Sequence, residues 1–404
     1  MVIFVRLRTS KDKWTISRRA LNASLLISFI TLGVADAFLG PALAHLTNRW
    51  GVALADGGIL FTMLFSGSCL AVLATSKLLD RLGLQMALGI SSLLLAVGLI
   101  GMAFAPTLGI AIIVSLVLGL GVGGLAVALN LLTAALYPAT PNVALNMVNV
   151  LFGAGALIAP LLVGATNGIP SGFEVATFAL GVVALLTTLG FTLLPLPGQY
   201  TQGAEVVQAP ALRTLLRDRY VFILTITFFL YVGAEVGFGG WAYSFATSGA
   251  HLDVGGATLI VDAFWLSFTL GRIGASLVAR FITARTMVIG GAALAAGGGL
   301  VVALFNFSPV LLFIGAVLVG VGCAPVFPTS FALATMYRSD WAASASSIGV
   351  LGGTLGAAIL PFIQGQVLAY WGVAAGASFT VLLLLTIVGL QLGGRPAPLQ
   401  APTH

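Results

Sequence analysis

The chain has 404 residues, 59% of them hydrophobic and 7% charged, with a formal net charge of +6. Its mean hydropathy is +1.12. No soluble domain of this length can bury so much apolar surface, and the cations sit in short clusters between apolar runs, which fits lipid headgroup contact rather than nucleic acid.

Each apolar run is close to the ~20 residues a helix needs to cross about 30 Å of hydrocarbon. The runs are continuous rather than alternating, so they read as helices. Lipid cannot satisfy backbone polar groups, which leaves helices or closed barrels as spanning structures. Twelve spans are expected, over 20–46, 57–79, 84–105, 108–137, 143–165, 173–195, 220–246, 256–281, 286–306, 309–337, 342–369 and 373–392. The longest connection, 196–219, follows Pro195, contains Pro197, Gly198 and Pro210, and ends in Arg213, Arg217 and Arg219. It reads as a linker between two six-helix halves, 1–195 and 220–404. The fold class is therefore an all-α membrane protein with no room for a soluble domain.

Charge sets an expected orientation. The N-terminal tail holds Arg6, Arg8, Lys11, Lys13, Arg18 and Arg19. If it is cytoplasmic, Lys77, Arg81, Arg213, Arg217, Arg219, Arg280, Arg285, Arg338 and Arg395 share its side. Only Arg49 stands in an outer connection, and Arg272 lies within a span. This bias predicts a multi-pass protein of the cell inner membrane with both termini cytoplasmic. The first apolar run outlasts the 7–15 residues of a signal sequence core and contains Asp36, so no cleavage after Ala44 is expected. Cys69 and Cys323 both fall in spans and are expected as packing residues, without a disulfide or a metal role.

A few polar residues interrupt the spans. Asp36 lies in span one, about 24 Å along it at 1.5 Å per residue. Glu235 lies equally deep in span seven. An ionised side chain at that depth costs about 2.5–3.5 kcal/mol, which makes both candidates for ion coupling. A carboxyl there can take a proton from one side and release it to the other. Arg272 in span eight needs a partner, and Glu235, Asp262 and helix carbonyls are candidates; a structural latch at the inner gate is its other reading. Asp262 and His45 lie nearer the outer ends of their spans. Asn146 and Asn149 share a helix face in span five. With Asn130, Gln364 and Gln366 they form a set of amides, which both donate and accept and so suit a hydroxylated neutral ligand such as a sugar. Trp241, Tyr243 and Trp265 offer stacking faces. Against this, amides also join membrane helices, and aromatic residues gather at interfaces. Pro325 and Pro328 are expected to bend span ten.

The halves repeat one another. Gly33, Phe38 and Gly40 recur as Gly233, Phe238 and Gly240, with Asp36 and Glu235 one residue out of register. Gly121 and Gly123 recur as Gly320 and Gly322, and Gly155, Pro160 and Gly164 as Gly356, Pro361 and Gly365. Both halves enter from the same side, so the repeat is parallel, about an axis along the membrane normal.

With these features the chain resembles the major facilitator superfamily over its full length. Ser76-Lys77-Leu78-Leu79-Asp80-Arg81-Leu82-Gly83 looks like the superfamily's signature loop, with Asp80, Arg81 and Gly83 matching and Ser76 replacing a glycine. In the family this loop helps lock the inward-closed arrangement, which implies gating roles for Asp80 and Arg81. Tyr231-Val232-Gly233-Ala234-Glu235 and Asp36 followed by Gly40-Pro41 are similar to the fucose and glucose/galactose symporter branch and to sodium-coupled glucose transporters. Gly271-Arg272, Phe327-Pro328-Thr329 and Asn146-Met147-Val148-Asn149 also resemble that branch. It carries a Glu four residues before an Asn in span four, whereas Ala126 precedes Asn130 here.

The resemblance implies two pseudo-symmetric six-helix bundles in the major facilitator fold. The expected function is secondary active transport by alternating access of a small polar solute, a monosaccharide above others. Asp36 and Glu235 would bind the coupling ion, a proton in the first place and sodium as an alternative, with no other cofactor or metal. Asn130, Asn146, Asn149, Trp241, Tyr243, Trp265 and Gln364 would face the solute. The expected partners are the solute and membrane lipid, without nucleic acid, in a monomer. Gly155-Ala156-Leu157-Ile158-Ala159-Pro160 is close to an antiporter motif, so a drug–proton antiporter is a rival, and a non-transporting sensor is a second. No metal-ligand spacing, phosphate loop or nucleophile with a base in reach points to an enzyme.

Overall fold

The computed structural model describes residues 10–137, 141–166, 168–194, 196, 212–337 and 342–394; at some helical positions, Asp80 and Asn146 among them, the side chain is outside the described set. Arg6, Arg8, Arg338 and Arg395 and most of the expected linker, 197–211, lie outside the described residues. The described chain is helical: α1 (Ser10–Ala37), α2 (Leu39–Trp50), α3 (Ile59–Phe104), α4 (Leu108–Leu136), α5 (Pro141–Thr166), α6 (Gly172–Leu193), α7 (Leu212–Arg217), α8 (Arg219–Ser248), α9 (Val254–Val278), α10 (Ala284–Leu304), α11 (Pro309–Cys323), α12 (Val326–Tyr337) and α13 (Ala342–Gly393). No strand occurs among the described residues.

Among the described residues, eleven stretches are long and apolar enough to cross a membrane. The last belongs to α13, whose 52 residues would make a rod of ~78 Å, far beyond one bilayer. Gly372, at φ 82°, turns it back on itself, so this stretch comprises two of the expected spans. Gly83, at φ 76°, divides α3 in the same way. Both positions need the left-handed backbone that glycine adopts without a side-chain clash. Each of the twelve expected spans falls on helix. The first begins earlier than expected, at Ser10, and the end of the expected linker forms the short α7.

Polar side chains finish the helices where the chain turns. Thr107, Asp218, Asp253, Thr283 and Ser308 each accept from a backbone N–H of the following first turn, a cap that contributes about 1 kcal/mol. At the end of α13 the Arg285 guanidinium donates to the carbonyls of Gln391 and Gly394.

Two packing units emerge from the helix contacts. In one, α3 folds on α4 and α6, and α1 on α5; in the other, α13 packs on α8 and α10, and α11 on α9 and α10. Glycines set the closest approaches. A Cβ on Gly155 would meet the Ile30 carbonyl, and one on Gly356 the Phe229 carbonyl, so α1–α5 and α8–α13 are equivalent pairs. A corresponding match links Gly119 against Leu64 with Gly320 against Phe264, and Gly121 against Leu95 with Gly322 against Ala295. Gly121 therefore answers to Gly322, two residues along from the Gly121–Gly320 pairing that the sequence repeat suggests. Packing contacts decide this register, since a glycine-rich helix offers several near-equal alignments.

The units meet along α2–α8, α3–α13 and α5–α9. These contacts concentrate toward the membrane face that carries Arg49. There Gly40 lies against the Gly240 carbonyl, Phe61 packs on Trp241 at 5.8 Å between ring centroids, and Gln366 Nε2 donates to the Ala55 carbonyl at 3.3 Å. On the same face Arg49 Nη1 donates to the Ala103 carbonyl at 2.9 Å and meets Glu174 Oε1 at 3.4 Å, with His45 3.7 Å from that carboxylate. The α5–α9 seam runs inward from Gly164 against Thr258 to Gly153 against Thr269. One turn further toward the face where α1 begins, Asn149 and Ile273 on the same helix faces are exposed. Among the described residues, the contacts between the units thus lie toward the Arg49 face.

Candidate functional site

Asp36 sits in the last turn of α1, directly before a break at Phe38. Pro41 accounts for the break: it has no N–H, and its ring crowds the carbonyl four residues back, at Ala37. The Asp36 side chain faces a cavity of about 20 Å³. Asp36, Phe61 and Phe65 line one side of it, and Val236, Gly239 and Trp265 of the other unit complete it. That volume holds about one water molecule and no sugar.

Glu235 lies one turn beyond Tyr231 on α8, and Asp36 is within its electrostatic reach. Both acids keep part of their surface accessible. The Tyr231 hydroxyl donates to the Cys323 carbonyl at 2.9 Å and is within hydrogen-bonding reach of Glu235. That carbonyl is free because the chain breaks at Ala324 and Pro325, between α11 and α12, where the sequence predicts a bend. Arg272 on α9 is also in electrostatic reach of Glu235, and its guanidinium carbon lies 4.3 Å from the Phe268 ring centroid.

The structure brings together Asp36, Glu235, Arg272 and Trp265. It places several other candidates elsewhere. Gln364 is fully buried, with Nε2 donating to the Gly376 carbonyl and the Thr380 hydroxyl inside α13, so it joins the two arms of that helix. Trp241 is also fully buried and donates to the Pro361 carbonyl at 2.8 Å, which makes it part of the closed face. Tyr243 is 8% exposed and offers no open ring face. Asn130 Nδ2 donates to the Ala126 carbonyl of its own helix at 2.8 Å. Asn149 is exposed one turn beyond Gly153 on α5, and the side chain of Asn146, three residues earlier, is outside the described set. Arg81 is exposed near the turn at Gly83, and the Asp80 side chain is outside the described set. Asp262 lies on the seam face of α9 with Oδ1 buried and unpartnered. Cys69 and Cys323 are buried and unpaired, and no group of metal-ligating side chains occurs among the described residues.

Phe61, Phe65 and Tyr231 have no assigned role in the sequence reading. Tyr231 carries a signal, its i−4 spacing from Glu235, which puts both on one helix face. The two phenylalanines carry none, because their place beside Asp36 depends on how α3 packs.

Two units of membrane-length helices that meet toward one face, with acids on the seam between them, fit a membrane transporter. The chain belongs to the Major Facilitator Superfamily, which it matches over residues 25–361. Human sodium-dependent glucose transporter 1 is 26% identical over 381 residues, covering 84% of this chain and 72% of that protein. Among solved structures, the nucleoside transporter NupG superposes with a TM-score of 0.76 at 14% identity, over 92% of this chain and 98% of that one. The E. coli fucose:proton symporter FucP superposes with a TM-score of 0.63 at 16% identity, over 92% and 97%. At those identities the structural likeness speaks for the fold.

Proposed function

We propose that the chain is a proton-coupled symporter that carries a monosaccharide by alternating access, as a single chain in the cell inner membrane with both termini cytoplasmic. The observation that carries this reading is the placement of Asp36 and Glu235 on opposite sides of the seam, beside the contacts of the Arg49 face. An arrangement closed at the Arg49 face would give the site access from the cytoplasm. Protons and solute would enter from the other face after the units rock apart at Gly40–Gly240 and Phe61–Trp241. The described relative named for glucose and the neighbour named for fucose support a sugar as solute.

The wall of the Asp36 cavity supports a proton over sodium. Its named side chains besides Asp36 are aromatic or aliphatic, whereas a hard cation is held by several oxygens. Sodium is the second reading, since the human relative is named as sodium-dependent.

Uptake of labelled sugars into proteoliposomes tests the proposal. A pH gradient should drive uptake at zero sodium, and Asp36→Asn should abolish that drive while leaving the size-exclusion profile unchanged. Undiminished pH-driven uptake by Asp36→Asn removes the acid from coupling. Uptake driven by sodium at fixed pH replaces the proton with sodium.

A further inference from the structure

Arg272 carries a charge that no described residue neutralises by contact. A guanidinium stays protonated in a protein. The residue lies six positions before the end of α9, about 9 Å from it at 1.5 Å per residue, within reach of the headgroup region by extending outward. The side chain goes the other way. It folds back over Phe268, one turn toward the membrane centre, with 4.3 Å between guanidinium carbon and ring centroid. Its Nε is buried without a hydrogen-bond partner. Among the described residues it forms no ion pair within 4.0 Å; the ion pairs found are those of Glu174 with His45 and Arg49.

The titratable groups around it are few. Glu235 and Tyr231 face it from α8, and Cys323 at the end of α11 acts on the same pair. Glu235 in turn acts on Asp36 from across the seam. Asp262 is ten residues back along α9, about 15 Å away, and α5 across the seam has no ionisable side chain. Among the described residues Glu235 is the acid on which Arg272 acts, and it is also the acid proposed to take the coupling proton. When it carries that proton, Arg272 has no countercharge inside the protein. A fixed cation on a membrane-spanning helix is then open to an anion, and a guanidinium fork matches a carboxylate with two parallel hydrogen bonds.

We propose that the solute itself supplies this carboxylate, so that the monosaccharide carried is a sugar acid held by Arg272. The inference rests on the sugar reading above and narrows it. It also makes proton and solute binding mutually favourable: the proton removes Glu235 as a competitor, and the solute carboxylate takes its place beside Arg272.

The test measures pH-driven uptake of labelled glucuronate and labelled glucose in proteoliposomes. Wild type should take up glucuronate, and unlabelled glucuronate should inhibit that uptake at concentrations about tenfold below glucose. Arg272→Gln should raise the KM for glucuronate by about tenfold or more, the loss of one charged hydrogen-bonding pair, and Arg272→Lys should restore part of it. Glucuronate should raise the thermal midpoint of wild type and not of Arg272→Gln. Glucose uptake with no uptake of, or inhibition by, glucuronate overturns the sugar-acid assignment and leaves the sugar reading standing. Equal loss of both fluxes in Arg272→Gln, with Arg272→Lys no better, also overturns it. Uptake of neither compound by wild type overturns both readings together. The competition arm needs no variant, so a variant that misfolds does not shelter the proposal.

Discussion

Gln364 Nε2 donates to the Gly376 carbonyl at 2.9 Å and the Thr380 hydroxyl at 2.8 Å, while Oε1 is buried without a partner. Gln364→Leu would remove two buried hydrogen bonds and with them one unpartnered oxygen, a net cost of about 1–2 kcal/mol. The expected outcome is a lower thermal midpoint in detergent with the solute KM changed by less than about twofold. A large rise in KM at an unchanged midpoint would return Gln364 to the solute site. Amide residues are ambiguous in a membrane sequence for this reason: helix joining and ligand contact need the same donors and acceptors. Carboxylates are less so. Asp36 and Glu235 are legible in the sequence because an acid at membrane depth is costly unless it has a task, and both lie where the two units meet.

Single helices are shaped by proline and glycine at readable positions. Pro41 ends α1 beside Asp36, the Pro325 region separates α11 from α12, and Gly83 and Gly372 turn α3 and α13. Gly40 has a different task. A Cβ there would lie 2.8 Å from the Gly240 carbonyl, a backbone atom that cannot swing away. Gly40→Ala should therefore disfavour the arrangement closed at the Arg49 face. A cysteine placed at Ala55 should be labelled faster by a membrane-impermeant maleimide added from that face in the Gly40→Ala background. Equal labelling rates would mean that the close approach is absorbed elsewhere. The repeat itself is visible in the sequence, but its register in α4 and α11 is not, because several glycines align almost equally well until their neighbours are known.

Alternating access requires the closed face to open. Gln366 of the second unit reaches the Ala55 carbonyl of the first, which places these two positions on opposite sides of that closure. With cysteines at both, a short reducible bifunctional reagent should join the halves in membrane vesicles and stop uptake, and reductant should restore it. Uptake that continues through the cross-link would mean the halves do not separate at this face. Cys69 and Cys323 are buried, which limits background reaction.

The sequence by itself determined the membrane class, the helix positions, the two-unit repeat and the pair of acids. Each follows from local terms: span length, hydropathy, the cost of a buried charge, and the backbone limits of proline and glycine. Only the tertiary structure decided which polar residues lie on the seam between the units. It turned Gln364 and Trp241 into packing contacts, brought Phe61 and Trp265 to Asp36, and folded Arg272 inward over Phe268. Those outcomes depend on contacts between helices far apart in the chain, and a side chain's partners across such a contact are set by packing, to which hydropathy and spacing are blind.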